Sequence, residues 1–357
     1  MGIVNGLPHY SDTAAHTVYG EVMSDDSIDF LLFKFGSKSN SLILKQPDIK
    51  FWGNCQGVVG FVTIQTLLGK RQIVFTNPLC ALDHYKPLLA AFLAVYPNTV
   101  FVSVDASVCE VLNGLGYKTN HFGWENLIEL NGFTTQGTQK KYLRKVRNHW
   151  TKAGAVVREQ AWEEVDAGAV LDISRRWRQS KEITGRELTL FTRPPIFDEE
   201  SGVRKFYCYH DEKLVGYVFF LPIYKDHQVM GYGSNITRFI PSAGYSGITD
   251  FILLTAIDQF KSEGLEVLSL GISPLFALEP MENERRLVRR LLALSFRYMN
   301  RLYAFKGLCS HKKKYRAQGE KWFLCTKQSM GVLQLAYCLG VGSRVFGCSP
   351  SRGAQCD

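Results

Sequence analysis

Residues 230–271 read MGYGSNITRFIPSAGYSGITDFILLTAIDQFKSEGLEVLSLG, and this stretch decides the fold. Its opening predicts a strand over 230–235, and Gly244 and Gly247 then punctuate a loop. Leu253, Ile257 and Phe260 recur at the spacing of one helix face, with Lys261 and Glu263 on the other. Gly264 ends a helix begun at Thr249, and a second strand follows over 267–271. A glycine loop between a strand and a helix leaves free backbone N–H groups at the helix start, where phosphate and other anions are held. The same spacing serves an ordinary strand-to-helix turn, so the loop alone leaves both readings open.

Upstream, apolar strands at 204–209, 214–222 and 228–235 form an antiparallel meander with its first turn at 211–213. A strand over 155–159 and a helix over 165–181, carrying Arg175, Arg176 and Arg178, precede a loop rich in Thr-Gly and Pro-Pro pairs. The first part of the chain repeats the theme. Strands at 57–63, 71–76, 99–104 and 124–130 alternate with helices at 84–95 and 107–115. The expected class is therefore α/β (α+β), with two units that each carry a mixed central sheet flanked by helices, a structural duplication without sequence repetition. The expected organisation is a lead-in (1–41), a first unit (42–131), a second (132–328) and a tail (329–357) with a short apolar helix at most. Within the second unit, a helix over 282–300 is expected to turn Leu287, Leu291 and Leu294 inward and Arg285 to Arg290 outward, ahead of a strand at 321–325.

A hydrophobic fraction of 46% with 21% charged residues describes a folded chain able to bury real cores. No apolar run approaches the roughly 18 residues a transmembrane helix needs. The opening residues do not read as a signal peptide, and Gly6 stands where a myristoylation motif requires Ser or Thr. Nine scattered cysteines without a Cys-x-x-Cys pair point to reduced thiols, a cytoplasmic location and no zinc site. A net charge of +9 implies an anionic partner, RNA or an anionic membrane surface touched peripherally. One helix concentrates that charge. Over 139–152, Leu143, Val146 and Trp150 form an apolar stripe, whereas Lys141, Arg144, Lys145, Asn148 and Lys152 cover the opposite face without one acidic residue. Solvated helix faces usually mix signs, so this face suits phosphate contact.

Six stretches occur in order over most of 57–327: KKYLRKVRN (140–148), KE (181–182), NITR (235–238), GITDF (247–251), LGISPL (270–275) and YAFKGL (303–308) with lysines after it. Together they resemble the catalytic domain of the phosphatidylglycerol lysyltransferases, a tandem-GNAT family that uses aminoacyl-tRNA to modify lipids and other acceptors. The resemblance implies two packed GNAT-like units, a catalytic centre mainly in the second, aminoacyl-tRNA as co-substrate and no metal or redox cofactor. It places Asn235 and Arg238 along the aminoacyl pocket. Lys306 would hold the ribose or terminal phosphate, and Glu182 would pair with the substrate amine. Asp250, Gly244, Gly247 and Ser273 would border the substrate, with Lys141, Arg144, Lys145, Lys312 and Lys313 along the tRNA.

Elementary chemistry offers plainer roles beside these. Asp250 at a helix start offsets the helix dipole, Ser273 suits a turn, Arg238 suits a surface ion pair, and Glu182 suits a solvated loop. His149, His210 and His311 show no carboxylate partner in sequence, and none is nominated as general base. In two respects the chain departs from the family. Asn235 stands where the family carries Asp, and a neutral amide cannot offset a buried lysyl ammonium. The membrane-embedded domain that precedes the family's catalytic region has no counterpart in these residues, which leaves lipid, small-molecule hydroxyl and amine acceptors open. Two other functions stay in view. One is a GNAT N-acyltransferase using acyl-CoA or acyl carrier protein, although the usual Gln/Arg-x-x-Gly-x-Gly spacing is not met. The other is a non-catalytic protein that binds RNA or a membrane surface.

Overall fold

The first half runs α1 (Asp25–Phe35), β1 (Lys50–Asn54), β2 (Gly57–Thr66), β3 (Gly69–Val74), α2 (Tyr85–Val95), β4 (Thr99–Val104), α3 (Ala106–Gly114) and β5 (Tyr117–Glu129). The second runs α4 (Lys141–Lys152), β6 (Val156–Glu159), α5 (Ala167–Gln179), β7 (Arg204–His210), β8 (Lys213–Lys225), β9 (Gln228–Phe239), α6 (Ile248–Ser262), β10 (Val267–Pro274), α7 (Arg286–Tyr303), β11 (Gln318–Lys327) and α8 (Val332–Gly342). These elements come from a computed structural model that describes residues 24–180, 192–303 and 311–342. Local chemistry fixes several boundaries. Ser24, Asp105 and Asp166 cap α1, α3 and α5 by accepting from the backbone N–H three residues on.

The strands join one sheet in the order β1-β2-β3-β4-β11-β5-β10-β9-β8-β7-β6. Each half contains one parallel pair, β3 with β4 and β9 with β10, bridged by α2 and α6 respectively. The final strand of each half then crosses into the other. β5 lies against β10, β11 lies against β4, and the two exchanged strands pair with each other from Tyr117 and Lys327 to Leu127 and Gln318. This reciprocal exchange shows the duplication directly and welds two GNAT-like halves into one sheet. Residues 318–327 thereby complete the sheet of the first half, beside β4. Nor are the ends mere lead-in and tail. Ile28, Leu31 and Leu32 of α1, and Leu335, Cys338 and Val341 of α8, are buried in the same core cluster as Val62, Val100 and Leu324.

Helices cover both faces. In the first half α2 and α3 pack on one side, and α1, α7 and α8 on the other. In the second, α4 and α6 share one side and α5 takes the other. Phe260 of α6 is fully buried, edge-on to Phe206 and Phe220 at 5.6 and 5.3 Å and stacked on Tyr232 at 4.8 Å. A side chain so enclosed contributes about 3–5 kcal/mol by the usual cost of Phe→Ala truncation. The stripe of α4 packs as its spacing predicts, with Leu143, Val146 and Trp150 buried. That of α7 is rotated by one residue: Val288 and Leu292 enter the core, whereas Leu287 and Leu294 face solvent. The helix is apolar over more than half its girth, and the surrounding core selects which part it buries. Arg285, just ahead of it, turns inward and donates to Thr326 Oγ1 and the Lys327 carbonyl, each at 3.1 Å.

Candidate active site

Both parallel pairs are short, and each opens into a V. β3 and β4 pair over Gln72–Val74 and then part. In that gap Asn40 donates from Nδ2 to the Phe75 and Ser103 carbonyls at 3.2 and 3.1 Å, and accepts from Thr76 Oγ1 at 3.0 Å. The first-half V is thus closed by a neutral side chain. In the second half β9 and β10 pair only at Gly231–Gly233 and Val267–Ser269, after which β10 bulges between Ser269 and Ile272. Gly271 sits in the bulge at a φ of +78°, a conformation natural to glycine alone. Here the gap holds a cation: Lys312 Nζ donates to the Gly271 and Ile272 carbonyls at 2.8 and 3.0 Å, with the side chain 5% exposed. The bulge is braced from the other side by a fully buried carboxyl. Glu125 accepts from Ser269 Oγ at 2.5 Å, from Trp322 Nε1 at 2.9 Å and from Ser39, and Ser269 Oγ in turn accepts from Gly271 N at 2.9 Å. Burial pushes the Glu125 pKa up, while the hydrogen bonds from Ser269 and Ser39 oppose that rise.

One lip of the V is β9. Asn235 is its bulged residue, between Ser234 opposite Phe220 and Ile236 opposite Phe219, and its Nδ2 donates to the Arg193 carbonyl at 2.7 Å. Arg238 lies inside the strand, not beyond its end, and is buried, with its guanidinium 3.8 Å from the centre of the Trp177 ring. The guanidinium is therefore held within the fold, stacked on a ring of α5, and does not stand at an exposed loop edge.

At the start of α6 the glycine loop does not present an open anion cradle. Gly247 has a φ of +80°, and a Cβ there would meet Val146 of α4 at 3.0 Å. Trp150 Nε1 donates to the Ser246 carbonyl at 3.2 Å, which seats α4 across the loop. Gly244 lies in an exposed 3₁₀ turn. The first turn of α6 is filled by its own Asp250, 1% exposed. That carboxylate accepts from Tyr315 OH at 2.7 Å and Tyr142 OH at 3.2 Å, with His311 Nε2 at 2.7 Å and Lys314 Nζ at 3.5 Å. Burial alone would raise its pKa. The hydrogen bond and charge of His311, then Lys314 and Tyr315, outweigh burial and hold it below the ordinary carboxylate value.

A cleft of about 230 Å³ opens where β5, β10 and β11 meet, lined by Trp124, Asn126, Ser273, Phe276, Lys313 and Gly319. Ser273 Oγ accepts from Asn126 Nδ2 at 3.3 Å, and Lys313 Nζ stands 4.8 Å from the Phe276 ring centre. Of the sequence-selected cations on α4, Lys141 and Lys145 are exposed, whereas Arg144 donates to the Thr135 and Gly137 carbonyls and so holds a loop. Lys312 is a second correction: its ammonium is inside the V rather than on an RNA-facing surface. Glu182 and Lys306 lie outside the described residues. Sequence reading missed Glu125, whose donors come from three distant segments, and His311, whose carboxylate partner lies far from it in the chain.

A V between parallel strands in each of two sheet-sharing halves, bulged and charged in the second, defines a tandem α/β fold with one mixed sheet flanked by helices. The chain belongs to the phosphatidylglycerol lysyltransferase, C-terminal family, which matches residues 45–326. It is 22% identical over 273 residues to a phosphatidylglycerol lysyltransferase of Bacillus subtilis, covering 73% of this chain and 30% of that protein. It is 23% identical over 252 residues to an uncharacterised protein of Corynebacterium glutamicum, covering 69% of this chain and 31% of the relative. The chain thus spans about a third of the length of these curated relatives. The structure of L-PGS from Bacillus licheniformis is similar with a TM-score of 0.75 at 17% identity, over 93% of this chain and 99% of that one, which shows the shared fold.

Proposed function

We propose that the chain transfers an aminoacyl group from aminoacyl-tRNA to a hydroxyl or amine acceptor, with a lipid headgroup as the foremost candidate. The observation that carries this reading is the position of α4. It covers Gly247, so the helix start that would cradle the pyrophosphate of an acyl-CoA is occupied by Val146 and by the Asp250 carboxylate, which repels phosphate. The same helix turns Lys141 and Lys145 outward, where a polyanion fits. Family membership supports the reading, since the Bacillus subtilis relative bears the name phosphatidylglycerol lysyltransferase.

In this reaction the acceptor oxygen or nitrogen attacks the ester carbonyl, and the tetrahedral intermediate collapses with release of the ribose hydroxyl. The acceptor's proton leaves with the ribose oxygen, and the ester, already activated, requires no covalent enzyme intermediate. Donors aimed at the developing oxyanion supply the main acceleration. Arg238, fixed by its stack on Trp177, and Asn235, fixed by the Arg193 carbonyl, are the groups we assign to the aminoacyl end. Glu125 and Lys312 position the β10 bulge opposite them. The test uses the purified chain, a panel of charged tRNAs with labelled amino acids and phosphatidylglycerol vesicles. Labelled lipid from at least one aminoacyl-tRNA, absent with uncharged tRNA, is expected. Transfer from acyl-CoA alone would replace this reading with CoA-dependent acylation.

A further inference from the structure

Three neighbouring elements on the α1/α7/α8 side of the first half present apolar side chains to solvent and carry no acidic residue. At the tip of the β2–β3 hairpin Leu67 and Leu68 are 105% and 72% exposed. α8 lies against this hairpin, the Gln334 amide meeting Thr66 Oγ1 at 3.1 Å, and turns Leu333 and Tyr337 outward while Leu335 and Cys338 enter the core. α7 packs beside α8 and leaves Leu287 and Leu294 exposed. Residues 57–74, α7 and α8 contain no Asp or Glu, whereas Lys70, Arg286 and Arg290 stand exposed among the leucines. Paired leucines on a hairpin tip add nothing to the stability of the folded chain, and a surface made for water alone mixes the signs of its charges.

We propose that this surface docks on an anionic phospholipid bilayer. Leu67 and Leu68 enter the boundary between headgroups and acyl chains, Leu333 and Tyr337 lie along it, and Lys70, Arg286 and Arg290 meet lipid phosphates. Charge selects this occupant: on these three elements every charged side chain is cationic, which complements a continuous anionic surface, while the carboxylates of this side lie on α1 (Asp25, Asp26, Asp29) and just before α7 (Glu282, Glu284). No described helix is long and apolar enough to cross a membrane, and the contact proposed for this surface is with the headgroup boundary. This inference is independent of the donor chemistry and gives the proposed lipid acceptor a place beside the enzyme.

The test is co-sedimentation of the full chain with vesicles of equal phosphatidylglycerol and phosphatidylcholine, against vesicles of phosphatidylcholine alone. Binding to the anionic vesicles should be at least about ten-fold stronger and should weaken with salt. L67D/L68D should lose at least about ten-fold, and each of K70Q and R290Q about five-fold. A Leu68→Trp variant should shift its emission to the blue on anionic vesicles and be quenched by brominated lipid, a readout that stands even if the double aspartate variant fails to fold. Equal binding to both vesicle types would overturn the proposal, as would unchanged binding by a folded L67D/L68D. A dimer in solution that L67D/L68D dissociates would assign the leucines to a second copy instead. No aminoacyl transfer enters these measurements, so failure here and failure of the transferase reading are separate results.

Discussion

Asp250→Asn probes the junction of α4, α6 and the 311–315 segment, because the Asp250 carboxylate receives a group from each of the other two. Asn keeps the shape but removes the charge, and its new N–H faces hydroxyl and ammonium donors. Hydrogen bonds to a charged acceptor are worth about 1.5–3 kcal/mol each, and the amide oxygen preserves part of that. Lys314, at 3.5 Å and 32% exposed, adds less than about 1 kcal/mol after solvent screening. The expected loss is about 3 kcal/mol near neutral pH. Its pH dependence has a definite sign. With the folded-state pKa below the ordinary value of 3.8, the contribution of Asp250 is fully present above that value and is lost as pH falls through the lower folded one. Urea unfolding of both proteins at neutral pH and at pH values below the ordinary carboxylate range should show a gap at neutrality that is lost as the Asp250 carboxylate protonates. Equal stability at neutral pH, or a gap undiminished once the carboxylate is protonated, would refute the role given to it.

Gly247→Ala forces a left-handed backbone on alanine and brings its Cβ against Val146, so scanning calorimetry should show a loss of about 1–3 kcal/mol. An unchanged Tm would mean that α4 does not press on the loop. Asn235→Asp should shift donor choice toward lysyl-tRNA, since burying an unpaired lysyl ammonium costs several kcal/mol; unaltered preference between lysyl and alanyl donors removes Asn235 from the pocket. Arg238→Ala should lower transfer while leaving the protein folded by circular dichroism. Lys141→Ala with Lys145→Ala should flatten the slope of log affinity for tRNA against log salt by two contacts, about 0.7–0.9 each. Adding Arg144→Ala should change the slope little, because that guanidinium is committed to loop carbonyls.

Much of the secondary structure was legible in the sequence because its signals are local. The period of Leu253, Ile257 and Phe260, the Gly264 stop and the stripe of Leu143, Val146 and Trp150 need only the neighbouring turn to be read. The family was legible from short stretches in order. Tertiary structure decided the rest, since pairing of distant segments leaves no local periodic trace. Exchange of β5 and β11 depends on which edge each strand meets after its crossover, and it carries residues 318–327 into the first half. Leu287 and Leu292 are equally apolar in sequence, yet only packing against α8 and the sheet sets which of them is buried. Lys312 and Lys313 are adjacent and chemically identical. The backbone turns one into the V between β9 and β10 and the other toward Phe276, and no charge pattern separates them. His311 gains its carboxylate only when α6 is brought beside it, and Asn40 closes a gap that exists only once β3 and β4 have parted. For Lys312 and Asn40 the role follows from which backbone carbonyls the fold leaves without a ladder partner, and that is settled by strand order rather than by composition.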